Sequence, residues 1–171
     1  RNFFDVHTLE NEINIQIRVD LKLKDVIKLN YNDPIIRHES ELSNPNNTGS
    51  RQKIWNSSFK IYANGKINKE PIPTITTKQD RFPNSGVIEY EPINKEKAKF
   101  RYLTPRECFL LMGFEERDYE AIRENNELIA KNRRIFSNEK IIRFAGNSIV
   151  VNVLENIFEQ MLEISELLKS K

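Results

Sequence analysis

The sequence has little of what builds disulfide frameworks, metal sites or membrane spans. Its 171 residues include one cysteine and two histidines, which excludes an internal disulfide and makes a zinc site a poor expectation. No apolar run approaches the roughly 18–20 residues that a membrane span requires. The start has no initiator methionine, basic leader or cleavage site. We therefore expect a chain cut from a longer protein, in a reducing cytoplasm, with no metal and no membrane partner.

The composition is that of a globular protein whose positive charge is concentrated in the middle. Hydrophobic residues make up 38% and charged residues 30%, which suits one ordinary domain or a domain with an appended helix. Residues 51–101 hold eleven Lys/Arg against five Asp/Glu, a balance of +6, whereas residues 1–50 and 102–171 each balance at −2. This distribution predicts a polyanion partner, although a solvated lysine-rich surface has the same composition.

Extended segments are predicted in the first two thirds of the chain. Residues 13–29 alternate apolar and polar side chains, which favours a strand, with a helical turn at 24–27. Residues 43–50 are dense in turn formers and predict a loop. Further strands are predicted at 59–62, 74–77 and 86–90, with a hairpin turn at Asn64-Gly65.

Helices are predicted after residue 102. Thr104 at the N-cap, Pro105 at the first helical position and Glu107 at the third form a capping box. Gly113 can end that helix. Two more helices are predicted, at 118–129 and 137–144. A last helix, from Val150 onward, has apolar side chains on one face and glutamates on the other, so it needs a partner surface.

Three segments carry a resemblance to one family. Residues 101–114, which read Arg-Tyr-Leu-Thr-Pro-Arg-Glu-Cys-Phe-Leu-Leu-Met-Gly-Phe, resemble the ninth conserved block of bacterial DNA cytosine-5 methyltransferases. Residues 145–155, which begin Ala-Gly-Asn-Ser-Ile-Val, resemble the tenth and last block. Residues 59–88 resemble the family's target-recognition region, in which residues 73–77 are similar to its Thr-Leu pair. The resemblance covers most of the chain from about Lys53.

The resemblance implies an α+β architecture in two parts. Residues 1–143 would form the small, β-rich target-recognition domain with its helices. Residues 144–171 would contribute to the catalytic domain that binds S-adenosylmethionine, with the C-terminal amphipathic helix packed on the missing α/β part of that domain. This half of the family's enzyme recognises double-stranded DNA.

Candidate DNA contacts lie in and beside the β-rich middle. The resemblance implies that Thr74 binds a phosphate oxygen, although a β-branched residue also suits a strand. Neighbouring polar and cationic side chains are candidates for phosphate or guanine contacts, and each is equally compatible with a solvated surface. The full set of DNA-binding candidates is Arg51, Lys53, Lys60, Thr74, Thr76, Lys78 and Arg81.

The tenth block supplies the candidate cofactor contacts. We expect Gly146 to turn the chain at a helix start, where free N–H groups can receive a ligand. The resemblance implies that Asn147 and Ser148 contact S-adenosylmethionine, although a plain N-cap has the same residues. The remaining candidates are structural: Thr104, Arg106, Glu107, Gly113 and Gly146. Among them, Arg106 and Glu107 are expected to form ion pairs that hold neighbouring loops.

Cys108 is the one residue to test as a nucleophile, because the family attacks C6 of cytosine with a cysteine thiolate. The sequence has no Pro-Cys dipeptide, and Glu107 precedes Cys108, so its charge disfavours the thiolate. We predict a buried, inert thiol and no catalytic residue in this chain.

The family's catalytic blocks are absent from the sequence. It has no Pro-Cys loop, no Glu-Asn-Val acid and no glycine-rich cofactor loop. We therefore expect the DNA-recognition half of an enzyme that methylates cytosine C5 in a specific duplex, in a restriction–modification system. Its catalytic half, which binds most of the cofactor, would lie on the same polypeptide or on a separate subunit. The alternatives are a non-catalytic DNA-binding module and a degenerate scaffold.

Overall fold

The computed structural model describes residues 23–68, 75–80, 83, 85–131 and 133–169, which combine helices with short strands. The α+β prediction is therefore confirmed. Contacts group Lys22–Ser148 into one compact unit, whereas Ile149–Lys171 falls in another. The expected extended segment at 13–29 lies mostly outside the described residues. Its described end forms a helical turn, as predicted for 24–27.

Twelve named elements follow one another along the described residues. The first unit holds α1 (Leu23–Val26), α2 (Pro34–Leu42), α3 (Gly49–Ser57), β1 (Lys60–Ile61), β2 (Val87–Glu89), β3 (Phe100–Arg101), α4 (Pro105–Leu111), α5 (Glu116–Glu124), β4 (Leu128–Ala130), β5 (Arg133–Arg134) and α6 (Asn138–Asn147). The second unit holds α7 (Val151–Lys169).

Three strands form the central sheet, in the order β1-β2-β3. β1 runs parallel to β2, with Ile61 opposite Ile88, and β3 runs antiparallel, with Arg101 opposite Ile88. Val87 and Ile88 are fully buried, so this short sheet is held by apolar packing as well as by its ladder. The Trp55 ring of α3 stacks on Phe100 at a centroid distance of 5.7 Å.

The predicted strands at 59–62 and 86–90 correspond to β1 and β2, and the hairpin turn is also confirmed. Gly65 has a φ of 76°, and its N–H donates to the Tyr62 carbonyl at 2.8 Å. The strand expected at 74–77 is wrong, because residues 75–77 form no strand. The loop expected at 43–50 is confirmed for residues 43–48, whereas residues 49–50 already belong to α3.

α4 begins and ends where its sequence has the corresponding signals. The Thr104 side chain accepts from the Glu107 N–H, and the Glu107 carboxylate accepts from the Thr104 N–H, which closes the capping box. The helix ends before Gly113, whose φ of 83° lies in the left-handed region that glycine adopts without strain.

A buried ion pair joins α4 to the sheet. Arg101 Nη1 donates to Glu107 Oε2 at 2.7 Å, and Nη2 donates to Glu107 Oε1 at 2.8 Å. The same carboxylate accepts from the backbone N–H groups of Lys28 and Thr104. Both side chains of the pair are fully buried. Burying a charge is costly unless its partners are all in place, and here they are.

A second ionic cluster places the helices around α4. Arg106 donates through Nε and Nη2 to the two carboxylate oxygens of Glu39, both at 2.9 Å. Its Nη1 reaches Glu116 and Glu120 of α5 at 2.7 Å, and its guanidinium lies over the Tyr119 ring. One arginine therefore holds α2 and α5 against α4.

Glu107→Gln tests the buried pair. The amide keeps the size of the side chain but leaves Arg101 charged and without its anion, so we expect a loss of about 3–5 kcal/mol in the free energy of unfolding. Urea unfolding measures it. Arg117→Gln is the matched control, because Arg117 is 80% exposed in its pair with Glu115 and a surface change costs about 0.5 kcal/mol or less. Equal losses in the two variants would contradict the assignment.

Candidate functional site

A cleft of about 720 Å³ opens on one side of the first unit. Its walls are the loop before α3, the end of β3, the segment at residues 75–80 and one face of α6. Residues 75–80 are called the recognition segment from here on. The lining side chains that carry charge are Arg51, Lys78, Asp80, Lys97, Glu139 and Arg143.

The recognition segment is held by hydrogen bonds in place of a strand ladder. The Thr76 hydroxyl donates to the Lys78 carbonyl at 2.9 Å, and Gln79 Nε2 donates to the Thr76 carbonyl at 3.1 Å. At its far end the Tyr102 hydroxyl donates to the Asp80 carbonyl at 2.7 Å. Side chains that bond their own neighbouring backbone favour turns over strands, which explains why the predicted strand is absent.

The net positive charge of the cleft lining favours the binding of an anion. Four cations and two carboxylates line it, and Lys78 and Arg143 make no ion pair with any residue that the structure describes. Lys97 Nζ donates to the Asn44 carbonyl at 3.2 Å, which directs it along one wall. Burial raises the pKa of Tyr102, and the adjacent Arg51 guanidinium partly offsets that rise. An open cleft with excess positive charge concentrates polyanions near it.

Two amides of the cleft lining each keep one buried acceptor without a partner among the described residues. Asn44 Nδ2 donates to the Ala98 and Phe100 carbonyls at 2.8 and 2.6 Å, which ties the cleft wall to the sheet. Its Oδ1, like Gln79 Oε1, has no partner among the described residues. Buried acceptors are rarely left unpaired, and an ordered water is the usual partner of such an atom.

The structure brings together some of the predicted DNA contacts and separates others. Arg51 and Lys78 line the cleft, and Thr76 adjoins it through its bond to Lys78. Lys53 is exposed on α3, and Lys60 Nζ lies 5.3 Å from the Trp55 ring centroid, so neither lines the cleft. The other two candidates, Thr74 and Arg81, lie outside the described residues.

Sequence reasoning missed Lys97 and Arg143. Lys97 belongs to the basic middle of the chain, and its bridge to Asn46 and its bond to the Asn44 carbonyl place it at the cleft. For Arg143, the sequence did contain a local signal of its position in the cleft. Glu139, Ile142 and Arg143 share one face of α6 by their spacing, and all three line the cleft.

The prediction that a helix starts at residues 146–148 is wrong. Gly146 and Asn147 form the last turn of α6, and Ser148 is its C-cap. The Ser148 N–H and hydroxyl both donate to the Ala145 carbonyl, at 3.0 and 2.7 Å. The free backbone N–H groups expected of a helix start are therefore not there. The exposed carboxamide of Asn147 has no partner among the described residues and is the group available to a ligand.

Cys108 lies in the interior of α4. Its side chain is fully buried, and burial raises the pKa of the thiol far above its ordinary value, with the Glu107 carboxylate adding to the rise. A protonated thiol without access to solvent is a poor nucleophile. Within the described ranges no three His, Cys, Asp or Glu side chains gather as a metal site.

One described helical stretch, Asn138–Lys169, passes a length and composition test for a membrane span, which core helices of soluble proteins also pass. Glu155, Glu159 and Glu163 recur every four residues along α7. Three acids on one face favour an amphipathic helix over a span. The expected absence of a membrane partner stays a prediction.

Comparisons with known proteins point to one family. The model of the family described as C-5 cytosine-specific DNA methylase matches residues 4–163. The chain is 36% identical over 97 residues to the orphan methyltransferase M.SPBetaI of Bacillus phage SPbeta and to the putative type II methyltransferase M.BsuMIIP of Bacillus subtilis strain 168. Each alignment covers 57% of this chain and 18% of the relative. The chain thus matches less than a fifth of their length. No solved structure matches it.

Thiol labelling tests the assignment of Cys108. An aromatic disulfide reagent should label the folded chain at neutral pH only as fast as it unfolds, and at once in urea. Because the pKa of the folded thiol is raised, its contribution to stability is present below the unfolded pKa of about 8.5 and is lost as the pH rises above it. Stability should therefore fall more steeply above that pH in the wild type than in Cys108→Ala. Rapid labelling of the folded chain would overturn this assignment.

Proposed function

Because this chain belongs to the C-5 cytosine-specific DNA methylase family, we propose that it is the DNA-recognition half of a DNA cytosine-5 methyltransferase. The whole enzyme transfers a methyl group from S-adenosylmethionine to C5 of a flipped cytosine in a specific duplex sequence, within a restriction–modification system. A protein that flips a base must hold the flanking phosphates and read the remaining base edges. This chain performs those two tasks.

The cationic cleft is the observation that carries the proposal. Arg51, Lys78, Lys97 and Arg143 line it together, and each can neutralise one phosphate and release its counterion.

The end of α6 suits an edge of the cofactor site. Asn147 presents a carboxamide that both donates and accepts, and Ser148 presents a hydroxyl whose oxygen keeps its acceptor capacity. This pair fits a polar contact with S-adenosylmethionine, which supplies an activated methyl group. The remainder of the cofactor site and the nucleophile belong to the catalytic half.

The apolar face of α7 supports a catalytic half as the partner. Ile157, Phe158, Met161 and Leu162 follow the i, i+1, i+4, i+5 spacing of one helical face, and all four are exposed, Leu162 by 67%. A stripe of this size is costly in water and gains free energy when a domain covers it. A stand-alone DNA-binding module has no use for such a surface.

Methyl transfer from labelled S-adenosylmethionine to unmethylated duplex DNA tests the proposal. The chain is assayed alone, and mixed with a chain that supplies the Pro-Cys and glycine-rich blocks. We expect activity only in the mixture. Activity from the chain alone would contradict the assignment of Cys108, whereas DNA binding without activity in either assay would favour the non-catalytic module.

Salt dependence tests the cleft itself. The slope of log K against log salt counts phosphate contacts, so Lys78→Gln and Arg143→Gln should each reduce its magnitude by about one. Lys66→Gln is the control, because Lys66 is an exposed cation in the hairpin turn outside the cleft. Fluorescence anisotropy with a labelled duplex measures the slope. An equal reduction in all three variants would point to a diffuse surface and against the cleft.

A further inference from the structure

Gly146 of α6 lies directly against the recognition segment. A Cβ atom placed on it would lie 2.8 Å from the Thr77 nitrogen and 2.9 Å from the Thr76 carbonyl carbon. Both atoms are backbone. Gly146 follows Glu139, Ile142 and Arg143 on the same helical face, so α6 runs along the cleft and its last turn contacts the recognition segment.

The close packing around residue 146, and not its backbone conformation, explains why a glycine occupies this position. Positive φ values occur at Gly65, Gly86 and Gly113 among the described residues, but not at Gly146. A glycine inside a helix costs about 0.5–1 kcal/mol relative to alanine. This cost is offset here because the absence of a side chain lets the two backbones approach each other closely.

The contact joins two groups of residues with different tasks. On one side are Thr76 and Thr77, which continue into the cleft residue Lys78. On the other side, Asn147 and Ser148 follow Gly146 directly. With backbone on both sides, no side chain can rotate to absorb a displacement, so a shift of one side must move the other.

We propose that Gly146 is a positioning residue that couples DNA held in the cleft to the cofactor-contacting end of α6. The inference rests on the proposed function of both groups. A duplex that engages the recognition segment sets the position of Asn147 through this contact. Coupling between two binding sites is reciprocal, so the cofactor bound at Asn147 also favours the recognition segment that holds DNA.

Side-chain amide resonances of Asn147 provide the readout on the full chain of 171 residues. An unmethylated mixed-sequence duplex is added at low salt, where non-specific binding is strong. We expect shifts at the cleft residues and also at the Asn147 carboxamide, which lies outside the cleft lining. Shifts at the cleft residues with unchanged Asn147 resonances would overturn the proposed coupling and leave the proposed DNA function standing. Absence of any shift would overturn the proposed DNA function, and the coupling with it.

Gly146→Ala and Gly49→Ala form a matched pair of helical variants. A Cβ on Gly49 meets nothing within 4 Å, so that substitution should leave duplex affinity unchanged. Gly146→Ala should displace the recognition segment, weaken duplex binding by about tenfold and abolish the shift at Asn147. Equal affinity in the two variants, or a retained shift at Asn147 in Gly146→Ala, would overturn the proposal. The wild-type titration decides the question if Gly146→Ala does not fold.

Discussion

The buried pair of Arg101 and Glu107 is the constraint on which the rest of the first unit depends. Neither charge has access to water, so each must find its full set of partners within the chain. Glu107 takes two bonds from the guanidinium and one each from the backbone of Lys28 and Thr104. The guanidinium also reaches the Lys28 carbonyl and the Tyr31 hydroxyl. Strand, helix and the chain after α1 therefore meet at one carboxylate.

The cleft takes its shape from this constraint. Tyr102 follows Arg101 directly; its N–H donates to the Ser43 carbonyl and its hydroxyl to the Asp80 carbonyl. The residue next to the buried pair thus places both the loop before α3 and the far end of the recognition segment. Residues 101–114 thereby hold in place the backbone that lines the cleft.

Local signals predicted the elements that contain their own determinants. The capping box of Thr104, the glycine at 113 and the Asn64-Gly65 turn act within a few residues, so each could be recognised in the sequence. α3 was missed because its two apolar side chains, Ile54 and Trp55, are neighbours in the sequence and do not recur at helical spacing. The strand expected at 75–77 failed because Thr76 and Gln79 bond neighbouring backbone, an outcome that β-branched composition does not reveal.

The sequence by itself determined the family, the α+β class, the capped helix and the basic middle of the chain, because motif order, capping and charge are properties of neighbouring residues. Only the tertiary structure decided which cations share a cleft. Arg51, Lys97 and Arg143 lie far apart in the chain, and long-range contacts bring them together while leaving Lys53 outside. The same holds for Gly146, which packs against a backbone some seventy residues earlier in the chain. Packing between distant segments sets such distances, and no local pattern encodes them.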